Sequence, residues 1–451
     1  MRKYFGTDGI RRIANTELTP DLVFRVAKAG AYVLSKHSDH APTILIGRDT
    51  RVSGTLIESA MTAGFLSYGA NVKLLGVIPT PAVAYLTRKF NADASVVISA
   101  SHNTFEFNGV KYFSNKGMKI PDEIEEEIEE IMDSDTLSSL NAVGDKIGVS
   151  ENDENMIDEY AKFFTDLFGD TFKLSKIKVG IDTANGATYK IADKIFTSLD
   201  IDHVLICNEP DGVNINEGCG STHLERISKF VVDNKLDLGF AYDGDGDRCL
   251  VVDDKGEVID GDIIMAIVAT YLKSKGMLSN DTIVATVMSN LGLKKFAEAN
   301  GFNLITTKVG DRYVLENMLA NEYNFGGEQS GHIIMLDYNP TGDGILTSLM
   351  LLKALLSRKE KLSEAKKIIT IYPQVLINAK VSSEKKYDYE KDEEISNAIL
   401  ELEREFQDNG RVLIRPSGTE PKVRVMIEGQ DIEYITKRAN ELAQLIEKKL
   451  K

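Results

Sequence analysis

The chain has 451 residues, of which 43% are hydrophobic and 27% charged, a composition typical of a soluble globular protein. This length predicts three or four domains, because one hydrophobic core rarely serves more than about 300 residues. The formal net charge of −16 disfavours a nucleic acid or an anionic membrane as partner, whereas a local cluster of Arg and Lys could still bind a small anion.

The sequence pattern predicts neither a membrane span nor a signal peptide. No apolar run approaches the ~20 residues that span a bilayer. Gly6 and Asp8 interrupt the N-terminus before an apolar stretch forms, so we expect no signal peptide. Cys207, Cys219 and Cys249 are odd in number and lack CxxC spacing, which favours a reduced, cytoplasmic setting.

Three segments share one order of predicted elements: a strand, a polar loop, a helix and a second strand. Their first strands lie in Thr43–Arg51, Lys178–Gly186 and Thr282–Asn290. This βαβ order indicates a mainly parallel sheet, and its recurrence predicts three similar α/β domains. The acidic stretch Asp122–Asp135 carries Ile at helical spacing and predicts a helix with a solvated face.

Polar or turn-forming stretches predict the domain limits. These stretches are Ser134–Asn155, the predicted hairpin Asp253–Gly261, and Lys366–Pro373. We therefore predict domains over 1–155, 156–254, 255–368 and 369–451. The last one reads as strand, loop, strand and amphipathic helix, which predicts a small α+β unit. The apolar face of that helix would comprise Ile432, Ile435, Ala439, Leu442 and Ile446.

The stretch "DGDGDR" carries the strongest chemical signal. Asp243, Asp245 and Asp247 alternate with glycines between two apolar strands, so the three carboxylates can converge on a hard cation such as Mg²⁺. Without a cation, three clustered carboxylates would repel each other. An EF-hand is excluded, because Arg248 stands where the loop needs Gly and strands replace the helices. A haloacid-dehalogenase-type aspartyl nucleophile remains open.

Two further stretches contain groups that bind phosphates or sugars. The first offers guanidinium, hydroxyl and backbone donors from Arg415, Ser417, Gly418, Thr419 and Arg424. A hairpin with solvated arginines explains it equally well. The second places Glu328, Ser330 and His332 in a glycine-rich stretch, where carboxylate and hydroxyl groups can bind sugar hydroxyls. A purely structural histidine is the alternative there.

Ser101 follows a β-branched run, in the order Ser99-Ala100-Ser101-His102-Asn103. Acyl transfer is disfavoured, because the Gly-x-Ser-x-Gly elbow is missing and an adjacent His rarely points back at the preceding side chain. Together with the three acids, the phosphate loop and the arginines, this serine favours phosphoryl transfer. Arg48, Arg51 and Arg11 lie beside predicted turns. For Arg48 and Arg51 we favour a structural role, whereas for Arg11 the sequence does not decide between a structural and a functional role.

Five motifs in order resemble the α-D-phosphohexomutase superfamily over essentially the whole chain. They are "FGTDGIR", "ISASHN" with "NGVK", "DGDGDR", "GEQSGH" and "RPSGTEP". The stretches "FGTDGIR" and "NINEGCGSTH" and the residue Gln329 resemble the branch that acts on glucosamine phosphates. The glucose and mannose enzymes usually resemble "GEMSGH" around the position of Gln329. Thr104 replaces the family's usual Pro, from which we expect changed loop stiffness, and Arg12 replaces its frequent Gly, which leaves the shape of the Arg11 turn open.

The resemblance implies three α/β domains and a smaller α+β domain around a central cleft. It implies that phosphorylated Ser101 interconverts glucosamine 6-phosphate and glucosamine 1-phosphate through glucosamine 1,6-bisphosphate, feeding UDP-N-acetylglucosamine and cell-wall precursor synthesis. The implied roles are Mg²⁺ binding by Ser101, Asp243, Asp245 and Asp247; substrate binding by Arg248, Glu328, Ser330, Arg415, Ser417, Gly418, Thr419 and Arg424; and catalytic help from Arg11, Lys111 and His332.

The partners implied are small sugar phosphates, and a homodimer is compatible with the resemblance. Three alternatives stay open. The first is a phosphoglucomutase or phosphomannomutase with the same chemistry. The second is a Mg²⁺-dependent phosphatase that uses Asp243, and the third is a non-catalytic phosphosugar-binding protein phosphorylated at Ser101.

Overall fold

The structure is a computed structural model that describes residues 3–6, 8–36, 39–417 and 420–451. The chain divides into two compact units. One runs to Met288 and resumes over Asn303–Lys367, and the other comprises Ser289–Phe302 and Ile368–Lys451. Within the described ranges, no helix combines the length and the apolar character that a membrane crossing requires.

The N-terminal third of the chain forms a six-stranded mixed sheet. Its strands are β1 (Ile10–Ile13), β2 (Thr43–Arg48), β3 (Asn71–Val77), β4 (Ala94–Ile98), β5 (Phe107–Ser114) and β6 (Ser150–Asn152). Its helices are α1 (Pro20–Ser35), α2 (Gly54–Tyr68), α3 (Thr80–Lys89), α4 (Asp122–Met132) and α5 (Thr136–Ser139). The order is β1-β5-β4-β2-β3-β6, with β2 parallel to β3 and β4, and β5 antiparallel to β4 and β1. Strand β6 lies inside the predicted boundary stretch and pairs with β3, so part of that stretch belongs to this sheet.

The second sheet has five strands in the described part of the chain. They are β7 (Lys178–Asp182), β8 (Asp202–Ile206), β9 (Leu238–Tyr242), β10 (Cys249–Asp253) and β11 (Val258–Ile259). The helices are α6 (Ile157–Phe168), α7 (Ile191–Ser198) and α8 (Glu225–Asp233). Strand β7 runs parallel to β8 and β9, whereas β10 is antiparallel to β9 and β11. The β10–β11 pair is the hairpin that the sequence predicted.

The third sheet repeats this arrangement. Its strands are β12 (Thr282–Thr286), β13 (Asn303–Thr307), β14 (Phe325–Gly327), β15 (Ile333–Met335) and β16 (Asn339–Gly342). The helices are α9 (Gly261–Ser274), α10 (Leu291–Ala299), α11 (Asp311–Ala320), α12 (Gly344–Arg358) and α13 (Leu362–Ala365). Strand β12 is parallel to β13 and β14, and β15 is antiparallel to β14 and β16. Helix α10 falls in the second compact unit, although both strands that it connects belong to the first.

The predicted threefold repeat is confirmed strand by strand. The orders β3-β2-β4-β5, β8-β7-β9-β10 and β13-β12-β14-β15 are equivalent, with the first three strands parallel and the fourth antiparallel. Apolar strand residues such as Ile46, Ile181 and Val284 are buried in the sheets. Each sheet therefore has helices packed on a parallel core, as βαβ connections require.

Among the described residues, the C-terminal sheet has three antiparallel strands in the order β17-β19-β18. They are β17 (Gln374–Lys380), β18 (Gly410–Pro416) and β19 (Lys422–Gly429), with the helices α14 (Glu393–Phe406) and α15 (Ile432–Leu450). The Asp431 side chain caps α15 by accepting from the amides of Glu433 and Tyr434. The predicted strand–loop–strand and helix are confirmed. The inclusion of Ile432 in the apolar face was wrong, because this first helical residue is 49% exposed.

Candidate active site

Three loops that the sequence singled out follow equivalent strands of the three sheets. The Ser101 loop follows β4, the loop with the three acids follows β9, and the loop with Glu328 follows β14. In each case the chain then enters an antiparallel strand. Because these strands are the third of each parallel core, the repeat places all three loops at carboxyl ends of strands, where α/β sheets bind ligands.

Ser101 is buried and has a left-handed backbone conformation, with φ of 51°. Its Oγ donates to Asp243 Oδ2 at 2.6 Å, and its amide donates to Ser99 Oγ at 2.9 Å. The loop that carries it therefore lies against the acidic loop. Gly244 allows this approach, since a Cβ there would lie 2.6 Å from the Ser101 carbonyl oxygen.

Two buried side chains donate hydrogen bonds to backbone carbonyl groups of the Ser101 loop. The Asn216 Nδ2 donates to the carbonyl oxygens of Ser101 and Asn103 at 2.9 and 2.8 Å. The guanidinium of Arg51 donates to the same two oxygens at 3.3 and 2.5 Å, and it is also ion-paired with the buried Asp49. Arg51 thus has the structural role that the sequence favoured, and Arg48 likewise pairs with a neighbour, Glu58, at 3.2 Å.

The three aspartates offer one oxygen each within 4.8 Å of one another, and all three are buried. Burial, followed by the charges of Asp247 and Asp245, raises the pKa of Asp243 well above its usual range. Asp245 Oδ1 and Asp247 Oδ1 have no hydrogen-bond partner among the described residues. Buried, unpartnered carboxylate oxygens fit a divalent cation with oxygen preference, so the donor set is suited to Mg²⁺.

Lys111 and Asp8 lie at the centre of a partly buried ion network, in which Lys111 itself is buried. Lys111 Nζ donates to Asp245 Oδ2 at 2.9 Å and lies 3.2 Å from Asp8 Oδ2. Asp8 also pairs with Arg11 at 2.7 Å and with Lys119 at 2.5 Å, and Lys119 reaches Asp311 at 2.5 Å. Burial alone would lower the pKa of Lys111, but the charges of Asp245 and Asp8 outweigh burial and raise that pKa.

His102 corrects one prediction from the sequence. Its Nδ1 lies 3.4 Å from Ser101 Oγ, so the side chain does point back at the serine. The left-handed turn at Ser101 makes this possible. Arg248 Nη1 donates to the same His102 nitrogen at 3.2 Å, and burial, followed by the charge of Arg248, lowers the pKa of His102 to about 4. His102 is therefore neutral near pH 7, with its Nδ1 lone pair engaged by Arg248.

The loop after β14 presents polar atoms without partners. Ser330 Oγ and His332 Nδ1 are buried and have no hydrogen-bond partner within the described ranges. The Gly342 amide donates to His332 Nε2 at 3.2 Å, which leaves the proton of a neutral ring on Nδ1. Glu328 Oε1 accepts from the Gly310 amide at 3.2 Å. Hydroxyl, ring N–H and carboxylate are groups that can bind sugar hydroxyls.

In the C-terminal sheet, Arg415 and Arg424 lie directly opposite each other on β18 and β19. Like charges in this position are unfavourable unless an anion neutralises them. Burial, followed by the charge of Arg424, lowers the pKa of Arg415, and Arg415 Nη1 has no partner in the described part. Ser417 is buried beside them, whereas the predicted Gly418 and Thr419 lie outside the described residues.

Comparison with known proteins places the chain in a family. The family models for the phosphoglucomutase/phosphomannomutase alpha/beta/alpha domains I, II and III match residues 2–139, 158–256 and 260–372. The model for the C-terminal domain of the same family matches residues 376–445. The chain belongs to the phosphoglucomutase/phosphomannomutase family. The resemblance inferred from the five motifs is confirmed.

Relatives within this family are similar over their whole length. The phosphoglucosamine mutase of Ruminiclostridium cellulolyticum is 55% identical over 450 residues, and that of Acetivibrio thermocellus 54% over 451, each comparison covering 100% of both chains. Among solved structures, a family protein from Burkholderia thailandensis has a TM-score of 0.81 at 21% identity, covering 98% of this chain and 97% of that one. The N-acetylphosphoglucosamine mutase of Aspergillus fumigatus, in complex with GlcNAc-6P and magnesium, has a TM-score of 0.71 at 17% identity, covering 99% and 96%.

Several residues of this family member's site were missed by sequence reasoning. Asp8 stands inside a motif that was noted, three residues from Arg11, and an i,i+3 acid–base pair was a usable signal. Asn216 likewise lies inside "NINEGCGSTH". No local sequence pattern points to Lys119 or Asp311. Lys119 is 111 residues from Asp8 and 192 residues from Asp311 in the sequence, so only the fold brings these side chains together.

Proposed function

We propose that the chain interconverts glucosamine 6-phosphate and glucosamine 1-phosphate, with phosphorylated Ser101 as donor and acceptor of the phosphoryl group. One observation carries the proposal: Ser101 Oγ lies 2.6 Å from Asp243 Oδ2, at the edge of a buried acidic cluster that fits a cation. The full-length identity of 50–55% to curated phosphoglucosamine mutases supports the amino-sugar substrate. The enzyme is then an isomerase that works by phosphoryl transfer.

In the first step the phosphorus–oxygen bond to Ser101 breaks and a bond to the free 1- or 6-hydroxyl of the sugar forms. The hydroxyl proton ends on the Ser101 oxygen that the phosphoryl group leaves. His332 and Lys111 are the candidates for acid–base help in this transfer, and the raised pKa of Lys111 favours it as the proton donor. The product is glucosamine 1,6-bisphosphate, which reorients, and its other phosphoryl group returns to Ser101. Glu328 and Ser330 would bind the sugar hydroxyls during both transfers, and Arg11 and Arg248 would offset negative charge.

The residues that would hold Mg²⁺ are Asp243, Asp245 and Asp247, together with the phosphate on Ser101. When bound, this cation stabilises negative charge on the transferring phosphoryl group. Lys111 donates to Asp245 and thereby offsets part of the acidic charge of the cluster. Arg415, Ser417, Gly418, Thr419 and Arg424 would bind the phosphate that is not being transferred, because guanidinium groups match phosphate oxygens in pairs.

The same proposal includes the setting of the enzyme and its domain limits. All three cysteines are free, which supports a reducing, cytoplasmic compartment and a place in the supply of UDP-N-acetylglucosamine. For the limits we retain 155/156, 254/255 and 368/369. The partners proposed are small sugar phosphates, with a homodimer as a compatible assembly.

The test is formation of glucosamine 1-phosphate from the 6-phosphate, followed by ³¹P NMR with a catalytic amount of the 1,6-bisphosphate. Ser101→Ala should abolish turnover, and the bisphosphate should not restore it. Ser138→Ala removes an exposed hydroxyl that donates to the Asp135 carbonyl outside the site, and it should keep both turnover and phosphorylation of Ser101. Net release of inorganic phosphate with a tolerated Ser101→Ala would instead indicate a phosphatase. Faster turnover of glucose or mannose 6-phosphate would overturn the amino-sugar assignment, and tight binding without isomerisation would indicate a binding protein.

A further inference from the structure

A second cluster of metal-ligating groups lies outside the site described above. Asp182, Cys207 and Cys219 offer a carboxylate oxygen and two sulfur atoms, all within 4.8 Å of one another. Asp182 and Cys219 are fully buried, and Cys207 is 8% exposed. Both thiols are free. This cluster involves none of the residues in the proposed reaction, and the mutase chemistry gives it no role.

The ligand set is that of a thiophilic cation and differs from that of the acidic cluster. Zn²⁺ takes cysteine sulfur and aspartate oxygen as ligands, whereas Mg²⁺ takes oxygen alone. Burial raises the pKa of Asp182, and a hydrogen bond to Cys219, followed by burial, raises the pKa of the Cys207 thiol. A bound divalent cation would reverse both effects, because it stabilises the carboxylate and the thiolates. We propose that Asp182, Cys207 and Cys219 form a second cation site, selective for a thiophilic divalent ion such as Zn²⁺.

The local backbone holds the three ligands in place. Asp182 is the last residue of β7, and its carboxylate accepts from the amides of Ala184 at 2.8 Å and Gly220 at 3.0 Å. The Cys207 carbonyl oxygen accepts from the Thr183 hydroxyl at 2.7 Å. Each Asp182 oxygen keeps a second lone pair, so these hydrogen bonds orient the carboxylate and still leave it able to coordinate a cation. A water would complete the four ligands that Zn²⁺ prefers.

Such an ion would fix the segment between Cys207 and Cys219. This segment contains Asn216, whose side chain donates to the carbonyl oxygens of Ser101 and Asn103. The Asn216 amide also donates to the Ala184 carbonyl at 2.9 Å, two residues from Asp182. The site therefore ties both ends of the segment that supports the Ser101 loop to the end of β7. Binding releases the two thiol protons, as thiolate coordination requires.

The test uses full-length, reduced, metal-stripped protein with Mg²⁺ in excess, titrated with Cd²⁺ as an optical substitute for Zn²⁺. We expect one Cd²⁺ per chain, with a thiolate-to-metal charge-transfer band that Zn²⁺ displaces. Cys207→Ser and Cys219→Ser should each abolish the band, and Asp182→Asn should weaken binding by about tenfold or more. Cys249→Ser, which removes a buried cysteine outside the cluster, should leave the band unchanged.

A second measurement needs no variant. Bound Zn²⁺ should slow alkylation of Cys207 and Cys219 in the wild-type protein by about tenfold or more, with Cys249 unaffected. Circular dichroism of each variant distinguishes lost binding from lost folding. The proposal is overturned if the wild-type protein shows no band at an excess of Cd²⁺, if Zn²⁺ gives no protection, or if the band persists in both folded cysteine variants. None of these outcomes depends on whether the mutase reaction occurs.

Discussion

Asn216 offers a quantitative test of how the Ser101 loop is held. Its side chain is 3% exposed and donates to the carbonyl oxygens of Ser101 and Asn103 at 2.9 and 2.8 Å. Asn216→Ala removes both donors. Because Arg51 still donates to the same two oxygens, neither becomes an unsatisfied buried acceptor. The loss is therefore the net value of two hydrogen bonds, together with a smaller strain because Ala tolerates the φ of 60° at this position less well than Asn, and it excludes the larger penalty for an orphaned group.

Two such bonds contribute about 2 kcal/mol. If the whole of this free energy is added to the activation barrier of phosphoryl transfer, kcat falls by roughly 30-fold, since about 1.4 kcal/mol corresponds to a tenfold change in rate. The KM should change little, because Asn216 contacts the loop and no proposed substrate group. The assay is the initial rate of glucosamine 1-phosphate formation by ³¹P NMR across substrate concentrations, with the 1,6-bisphosphate held saturating.

The matched control is Asn214→Ala, since Asn214 is two residues away, and its Nδ2 donates to the Glu209 carbonyl outside the Ser101 loop. This control should keep kcat within about threefold of wild type, because a surface hydrogen bond contributes well under 1 kcal/mol. A wild-type kcat in Asn216→Ala would refute the reasoning. So would a loss carried by KM alone, or an equal loss in Asn214→Ala.

Four further predictions follow from the same geometry. Asp8→Asn removes the charge beside Lys111 and should lower kcat by about 100-fold with KM within threefold, as displaced catalytic groups do; near-normal kcat would contradict it. Arg415→Lys keeps the charge opposite Arg424 but loses the paired donors, so KM should rise by about tenfold or more while kcat changes little, as steady-state kinetics will show. The pKa of His102 is lowered from 6.5 to about 4, so the folded state binds fewer protons there, and stability present above pH 6.5 is lost as the pH falls toward 4. His102→Gln should flatten this part of the Tm–pH profile, and an unchanged profile would exclude His102 as the cause. Removal of Mg²⁺ by a chelator should abolish turnover and lower Tm, both restored by Mg²⁺, and turnover that survives chelation would contradict the cation's role.

Periodicity and turn residues were sufficient to predict the repeated fold. Each βαβ unit is formed by one continuous segment, so the hydrophobic pattern of Thr43–Arg51 and of its two counterparts is enough to predict the strand that begins each unit. The loops at Ser101 and Asp243 were predictable for the same reason, because glycine and polar residues follow buried strands there. The position of these loops after the third strand of each parallel core became apparent only from the sheet order.

Contacts between distant segments could not be predicted from one sequence. Lys119 pairs with Asp8 and Asp311 only because three separate segments meet. The orientation of His102 depends on one backbone angle, the φ of 51° at Ser101, which reverses the expected direction of the next side chain. Ile432 matched the apolar period but lies at the first turn of its helix, where the sheet no longer covers it.

Each compact unit, taken by itself, contains a cluster of like charges. Folding brings these charges together, and their repulsion lowers the stability of the folded state. In the first unit the carboxylates of Asp243, Asp245 and Asp247 are buried together, and in the second Arg415 lies opposite Arg424. Clustered like charges repel each other and lose part of their hydration, so packing alone does not explain either arrangement. Each cost is offset when an ion of opposite charge binds, a divalent cation in the first unit and a phosphate in the second.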